Sequence, residues 1–215
     1  FHLNLWDQNK IVLNSKIICG KPSTPTPLLN SEIMEMVLYP TWTVPASIIS
    51  KEMLPGLRRN AAYLSKKGMS LYDDNGKKID PSSINWEQYK KQIPYKIVQP
   101  SGNSNALGVI KFNFDNPFSV YLHDTNQRGL FNNKYRALSH GCVRVENWRA
   151  LADYIASNDS ASFTGSESFQ YNVDSLSIWL SHKSNRRVKL NNKLSLFIGY
   201  FTCESENGKI IFHED

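Results

Sequence analysis

The chain has 215 residues, enough for one substantial domain or for a domain that carries a sizeable inserted lobe. Hydrophobic residues make up 40% and charged residues 20% of it, a globular composition that excludes disordered and fibrous proteins. The formal charge of +6 permits an anionic partner. The basic residues are scattered as short pairs and form no RNA-binding signature, so we do not expect nucleic acid as a partner.

Nothing in the sequence suggests a membrane span. The longest apolar runs, such as SLFIGYF, are far shorter than the roughly 20 residues that a spanning helix needs. The chain starts with Phe-His-Leu and shows no signal peptide, as is typical of a mature or excised piece.

The first 45 residues are predicted to form strands. FHLNLW and KIVLNSKIICG are rich in β-branched residues and flank the polar turn DQN. Three prolines mark KPSTPTPLLNSE as a loop, and MEMVLYP is again extended, ending at a proline. The chain therefore opens with a β-meander.

Residues 46–100 differ in character. ASIISKEMLPGLRRNAAYLSKKG has helical spacing around a Pro-Gly break, and DDNGKKIDP has the composition of a turn. SSINWEQYKKQ begins with serines ahead of a glutamate, as helices often do. We predict a mostly helical or irregular lobe inserted between strands, which could act as a lid over an active site.

After the loop QPSGNSNALG, strands are predicted at VIKFNF and FSVYLHDT. The segment HGCVRV follows, and ENWRALADYIAS repeats apolar residues at helical intervals. A serine-rich linker, a short helix at DSLSIWLSH and a closing hairpin from VKLNNKLSLFIGYFTCE and GKIIFHED complete the chain.

The three cysteines are an odd number, so at least one thiol stays free after any intramolecular pairing. No CxxC spacing is present, which argues against a thioredoxin-type motif or a four-cysteine zinc site. Cys19 and Cys203 lie in strand-like segments. They are either two small hydrophobic residues or, in an oxidising compartment, a disulfide.

Cys142 has a different context, in RALSHGCVRVEN. A nucleophilic thiol needs a nearby base or a positive field, and His140 and Arg144 lie two residues to either side. Gly141 permits a tight turn that would bring backbone N–H groups close to a developing oxyanion. His123 ends a predicted strand and could approach the thiol across adjacent strands, so we favour it as the base.

Other chemistry is possible with these residue types. His123, His140 and Cys142 are all zinc-ligand types, but the further Cys-x-x-Cys of a zinc deaminase is missing, so catalysis is favoured over zinc. Asp124 suggests a catalytic triad with His123, but neighbouring residues on a strand face opposite sides of the sheet. Ser139 is expected to make a local hydrogen bond in the turn.

YLHDT followed by RALSHGCVRV and a helix that opens with Glu-Asn resembles the active-site signature of L,D-transpeptidases with a YkuD-type catalytic domain. The resemblance extends to VLYPTWTVP, LPGLRRNAAYL and IPYKIVQPSGNSNALGVIKFNF, which are similar to larger periplasmic Gram-negative members with a capping insertion. It covers residues 1 to about 155 well and the remaining residues loosely.

The resemblance implies a function in peptidoglycan cross-linking. Such enzymes attack the third residue of a tetrapeptide stem, expel the terminal D-alanine and transfer the acyl group to a side-chain amine of another stem. The product is a 3-3 cross-link, whereas transfer to water makes the enzyme an L,D-carboxypeptidase. Carbapenems acylate the same thiol, no cofactor or metal is used, and the compartment is the periplasm.

The resemblance also implies roles for individual residues. Cys142 is the nucleophile, His123 is the general base, and Gly141 with Cys142 supplies N–H groups to the oxyanion hole. The Asp124 carbonyl, not its carboxylate, orients the imidazole. The predicted substrate-binding residues are Arg144, Tyr121, Trp42, His140 and Ser139.

Alternatives stay open for three of the substrate-binding residues. Arg144 could instead form a salt bridge on the rim, and Trp42 could be ordinary core packing. His140 is treated as supporting structure, because the family tolerates other residues at its position.

We therefore predict a mainly β fold, a YkuD-type sandwich or barrel with a few helices. Residues 1–45 and 101–215 would form the catalytic domain, and residues 46–100 the partly helical capping lobe. A non-catalytic wall-binding module is a third functional alternative, although such a module would have no use for a base beside a thiol.

Overall fold

The computed structural model describes residues 1–161, 171–206 and 208–212. Its strands are β1 His2–Asp7, β2 Lys10–Gly20, β3 Leu29–Leu38, β4 Trp42–Thr43, β5 Ser70–Tyr72, β6 Lys78–Ile79, β7 Lys96–Gln99, β8 Ile110–Phe114, β9 Leu122–His123, β10 Ala137–Ser139, β11 Val143–Val145, β12 Arg186–Ile198, β13 Cys203–Glu206 and β14 Lys209–Phe212. Its α-helices are α1 Ala46–Ile48, α2 Leu54–Arg59, α3 Tyr63–Lys66, α4 Trp148–Ala161 and α5 Val173–Ser181. A π-helical turn spans Ile49–Met53, and 3-10 turns span Pro81–Ser83, Trp86–Gln88 and Arg128–Asn132.

The main sheet has the order β1-β2-β11-β9-β8-β3-β12, with β10 paired to β2. Most of its neighbours are antiparallel, but β9 and β11 run parallel and register Leu122 with Val143 and His123 with Arg144. The sheet curls into a half-barrel, so the predicted mainly β fold is confirmed. The β9–β11 pairing brings together two sequence motifs that lie about twenty residues apart.

The core of the main sheet lies between the sheet and helices α4 and α5. Burial alternates along β8, where Ile110, Phe112 and Phe114 are buried and the residues between them are half-buried. Ala152 and Leu176 of the two helices belong to the same cluster and are fully buried. Each buried isoleucine, leucine or phenylalanine side chain contributes about 1.5–3 kcal/mol to folding. Together these side chains hold in place the strands that carry the motifs.

A second apolar cluster lies within residues 42–97. Leu54, Leu57 and Leu64 from the helices meet Leu71 and Ile97 from a four-stranded sheet of order β4-β7-β5-β6. The sequence did not predict this sheet, because its strands are only two to four residues long. The division of the chain into a catalytic domain and a lobe stays a prediction.

Two local expectations in this region were wrong. The chain stays helical from residue 46 to 59 through the predicted Pro-Gly break, because Pro55 lies at the start of α2, where its missing N–H is tolerated, directly after the π-helical turn. The predicted helix at SSINWEQYKKQ is two 3-10 turns, since Asp80 and Asn85 cap them with their own side chains.

Both predicted C-terminal helices are present as α4 and α5. Most of the serine-rich linker lies outside the described residues. The predicted closing hairpin is partly correct: β12 is one long strand paired with β3, and the hairpin itself is β13–β14. No helix in the described ranges is long and apolar enough to cross a membrane.

The three cysteines are all free. Cys19 is buried and Cys203 is exposed, so the possible disulfide between them is not formed. Cys142 is partly accessible, which distinguishes it from both.

Candidate active site

Cys142 follows a tight turn between β10 and β11 and opens into a cleft of about 320 Å³, here called the thiol cleft. Gly141 has φ +123°, a conformation that L side chains rarely adopt. An added Cβ there would meet no atom closer than 3.9 Å, so backbone conformation and not crowding requires glycine. The turn expected from the sequence is therefore present.

Hydrogen bonds fix the turn on both sides of Gly141. Ser139 Oγ accepts from the Gly141 N–H at 3.0 Å and donates to the Cys142 carbonyl at 2.6 Å, as the local role expected for Ser139 requires. The first bond occupies the Gly141 N–H, which was predicted to serve the oxyanion hole. The oxyanion role of Gly141 stays a prediction, and it requires this bond to be given up.

The loop before β3 supports the same turn from behind. The hydroxyl of the buried Thr26 donates to the Gly141 carbonyl at 2.8 Å and accepts from the Gly20 N–H at 2.9 Å. Tyr200 OH in turn donates to the Thr26 carbonyl at 2.8 Å. Sequence reasoning missed Thr26, because the contact joins residues 115 positions apart and the prolines around Thr26 signalled only a loop.

His123 reaches the thiol cleft from β9, next to the strand that follows Cys142. Its imidazole is almost fully buried, and its Nδ1 contacts the main-chain carbonyl of Asp124, the orienting contact expected from the sequence. A carbonyl can only accept, so Nδ1 carries the proton and Nε2 keeps its lone pair. Burial, and then the charge of Arg144, lower the pKa of His123 from 6.5 to about 3, so the ring is neutral at pH 7.

The carboxylate of Asp124 has other partners. It accepts from the Val109 N–H at 3.0 Å and pairs with Arg128 at 2.6 Å. Gly108, with φ +63°, lies so close that an added Cβ would be 2.2 Å from Asp124 Oδ2. The expectation that this carboxylate does not complete a triad with His123 is confirmed.

The Cys142 thiol is held in a neutral form. Burial raises its pKa, while hydrogen bonding to Tyr121 and the charges of Lys111 and Arg144 oppose that rise. Burial and the neighbouring Cys142 also raise the pKa of Tyr121, so its phenol stays protonated and can donate. At pH 7 the site therefore contains an uncharged thiol and an uncharged imidazole.

Lys111 is a functional candidate that sequence reasoning missed. It lies on β8 in register with His123, and its Nζ is 4.0 Å from the centroid of the Tyr121 ring. Burial lowers its pKa and the neighbouring Cys142 opposes that change. The only signal in the sequence was one lysine inside the apolar segment VIKFNF.

Arg144 is a partly buried cation at the edge of the thiol cleft. Its Nη1 donates to Gln127 Oε1 at 2.9 Å, and its Nε is buried without a hydrogen-bond partner in the structure. No carboxylate among the described residues pairs with it, so the alternative of a rim salt bridge is not supported. A guanidinium in this state is suited to an anionic ligand.

Trp42 and His140 join the thiol cleft to the segment 46–59. Trp42 lines the cleft from β4 and also packs against the second apolar cluster. Its role in substrate binding stays a prediction. His140 Nε2 lies 2.5 Å from Glu52 Oε1 in the π-helical turn. The cysteine turn thus has a polar contact with the predicted lid.

Seven of the eight predicted site residues line this one cleft, namely Trp42, Tyr121, His123, Ser139, His140, Cys142 and Arg144. Gly141 shapes the turn from behind it. In the described part of the chain, no group of three or more His, Cys, Asp or Glu side chains could hold a metal ion.

The curled, mainly β sheet is consistent with a YkuD-type fold. It pairs the histidine strand β9 in parallel with β11, the strand that follows the Ser-His-Gly-Cys turn. Residues 1–164 match the family described as YkuD, the L,D-transpeptidase catalytic domain, and the chain belongs to that family. A protein of Haemophilus influenzae named "Putative L,D-transpeptidase" is 33% identical over 211 residues, which are 98% of this chain. The chain spans about two fifths of the length of that curated relative.

Proposed function

We propose that this protein is a peptidoglycan L,D-transpeptidase that uses Cys142 as its nucleophile. The observation that carries the proposal is that one cleft contains the Cys142 thiol together with His123, a buried and neutral imidazole whose Nδ1 is fixed by a carbonyl. A neutral imidazole with a free lone pair can accept the thiol proton, and a thiol that loses it becomes a nucleophile.

In the proposed first step, His123 Nε2 takes the proton of Cys142 while the sulfur attacks the carbonyl of the third residue of a tetrapeptide stem. A C–S bond forms, and the carbonyl oxygen becomes an oxyanion near the Cys142 N–H. The intermediate collapses, the C–N bond breaks, and the imidazolium returns its proton to the departing amine of D-alanine. Lys111 and Arg144 stabilise the negative charge, because both oppose the raised pKa of the thiol.

In the second step, the side-chain amine of another stem attacks the thioester. The C–S bond breaks, an amide forms, and the amine proton returns to sulfur through His123. The product is a 3-3 cross-link. Water as the acceptor would give L,D-carboxypeptidase action by the same route, and peptidoglycan would place the protein in the periplasm of the cell envelope.

The test uses the purified chain, a defined tetrapeptide stem and mass spectrometry of both protein and products. We expect an acyl-enzyme adduct, loss of D-alanine and a cross-linked dimer, all of which disappear in Cys142→Ala. Cys203→Ala is the matched control, since it removes an exposed thiol that does not line the thiol cleft. Full activity of folded Cys142→Ala would refute the proposal.

The same experiment separates the alternatives. Hydrolysis without any dimer, even at high acceptor concentration, would leave the carboxypeptidase. A carbapenem is expected to add its mass to the wild type and to Cys203→Ala but not to Cys142→Ala. A protein that forms neither adduct would have to be regarded as a wall-binding module.

A further inference from the structure

A second cleft of about 470 Å³ adjoins the thiol cleft and is here called the lysine cleft. The two share a wall that includes Trp42, His140 and Arg144. Lys66 and Lys67 line the lysine cleft from the end of α3, and neither lines the thiol cleft. Two lysines on the inserted segment therefore flank a path that leads to Cys142.

The lysine cleft has an excess of positive charge. Lys66, Lys67 and Arg144 line it. Among the residues that the structure describes, Glu52 is the only carboxylate of the lining, and it already faces His140 at 2.5 Å. Within the described ranges no ion pair includes any of the three cations. Three cations without carboxylate partners around one cavity favour an anionic ligand.

Backbone hydrogen bonds hold the end of α3, which carries Lys66 and Lys67, in place. Gly68, at φ +64°, ends α3, and the Met69 N–H bonds back to the Leu64 carbonyl at 2.9 Å, the pattern of a Schellman cap. The amide of the buried Gln99 donates to the Lys67 carbonyl at 3.1 Å. The side-chain oxygen of Gln99 accepts from the Ala106 N–H at 2.8 Å, and Ala106 lines both clefts. The position of Lys67 is thus tied to the wall of the thiol cleft.

The chemistry of acyl transfer indicates which anion belongs there. The leaving group, D-alanine, has its amine on a carbon that also bears a carboxylate. An attacking amine enters the position from which the leaving amine departs. A positively charged side chain that binds the carboxylate of the leaving group therefore also binds a carboxylate attached beside the attacking amine. Such a site distinguishes amines with an adjacent carboxylate from plain amines.

We propose that Lys66 and Lys67, together with Arg144, form a carboxylate-binding subsite that selects acceptor amines carrying an adjacent carboxylate. The inference rests on the proposed transpeptidase function. In the step concerned, the amine nitrogen bonds to the acyl carbon, the C–S bond of the thioester breaks, and the amine proton goes to the sulfur through His123.

The test measures acceptor preference with one donor stem and two matched acceptors, D-norvaline and D-norvalinamide, which differ in carrying a carboxylate or a neutral amide. Mass spectrometry gives the ratio of kcat/KM for the two acceptors. We expect the wild type to prefer D-norvaline, the acceptor with the carboxylate. In the double variant Lys66→Gln/Lys67→Gln the ratio of the two kcat/KM values should fall by about three- to tenfold, as for partly exposed ion pairs. High salt should reduce the wild-type preference in the same direction.

Lys90→Gln/Lys91→Gln is the matched control, because it removes the same charge from two exposed lysines of the same segment that do not line the lysine cleft. It should keep the wild-type preference. An unchanged preference in the Lys66/Lys67 variant, or an equal loss in both double variants, would overturn the proposal. An acyl-enzyme that shows no preference for the acid refutes this inference alone, whereas failure to form an acyl-enzyme refutes the proposed function.

Discussion

The buried neutral imidazole of His123 makes folding stability depend on pH in a defined way. The unfolded chain protonates this histidine below about pH 6.5, whereas the folded chain does so only below about pH 3. Between these values the unfolded state binds more protons, so acid favours unfolding. The stability that neutral His123 provides is complete above pH 6.5 and is lost as the pH falls toward 3.

The size of the effect follows from the two pKa values. Lowering the pH from 7 to 5 should remove about 2 kcal/mol of stability through this one residue. The side chain is only 5% exposed, so solvent screening reduces the effect little. Among other titrating groups, Asp124 also has a shifted pKa, raised by burial, and such contributions must be subtracted.

Urea unfolding followed by tryptophan fluorescence measures this quantity at pH 7 and pH 5. The comparison is with His123→Gln, which keeps a polar side chain but cannot titrate, so contributions from other groups largely cancel in the difference. We expect the wild type to lose about 2 kcal/mol more than the variant between the two pH values. A second measurement uses NMR. The His123 ring resonance of the wild type is assigned by its absence from the spectrum of His123→Gln, and it should not titrate above pH 4. Equal pH dependence of the two proteins, or a titration near pH 6, would show that the reasoning is wrong.

Three further predictions concern the turn before Cys142 and its contact with the segment above it. Gly141→Ala should lower the free energy of unfolding in urea by about 1–3 kcal/mol and slow acyl-enzyme formation, because its φ is positive. Gly129 has no positive φ and open surroundings, so Gly129→Ala should change neither quantity. Equal effects of the two substitutions would show that the backbone conformation of Gly141 does not require glycine. Thr26→Val should cost about 1–3 kcal/mol and lower kcat for acylation, because two backbone groups lose their partner; unchanged values would exclude a supporting role. Glu52→Gln should leave global stability within about 1 kcal/mol but raise amide hydrogen exchange in residues 46–53, and unchanged exchange would show that the pair with His140 does not hold this segment.

The sequence was most informative where local chemistry is strict. A glycine directly before the cysteine predicted a tight turn, and Gly141 indeed has a positive φ. The alternation of side chains along a strand predicted that Asp124 faces away from the imidazole, as it does. In both cases one residue type and one geometric rule decide the outcome.

Sequence reasoning failed where local hydrogen bonds compete with a helix. The segment around Trp86 forms 3-10 turns because Asp80 and Asn85 cap these turns with their own side chains. Sequence reasoning also failed where long-range packing decides. Thr26 reaches the site from a loop through a hydrogen bond across 115 positions of the chain. Lys111 reaches it through the pairing of β8 with β9. No local pattern in the sequence reveals either contact. Residues that support an active site need only one suitable atom in the right place, and their type and spacing therefore leave little trace in the sequence.

The opposite pKa shifts of the thiol and the imidazole have a joint consequence for the proposed chemistry. Burial disfavours the thiolate of Cys142 and also disfavours the imidazolium of His123, so the resting site contains little of the ion pair. A protonated thiol is much less prone to oxidation than a thiolate, so the neutral form protects Cys142 while no substrate is bound. The same burial strengthens the attraction of Lys111 and Arg144 for negative charge once the proton moves. The site is therefore built to form its charges during the reaction and not before it, which makes a bound substrate part of the activation of the thiol.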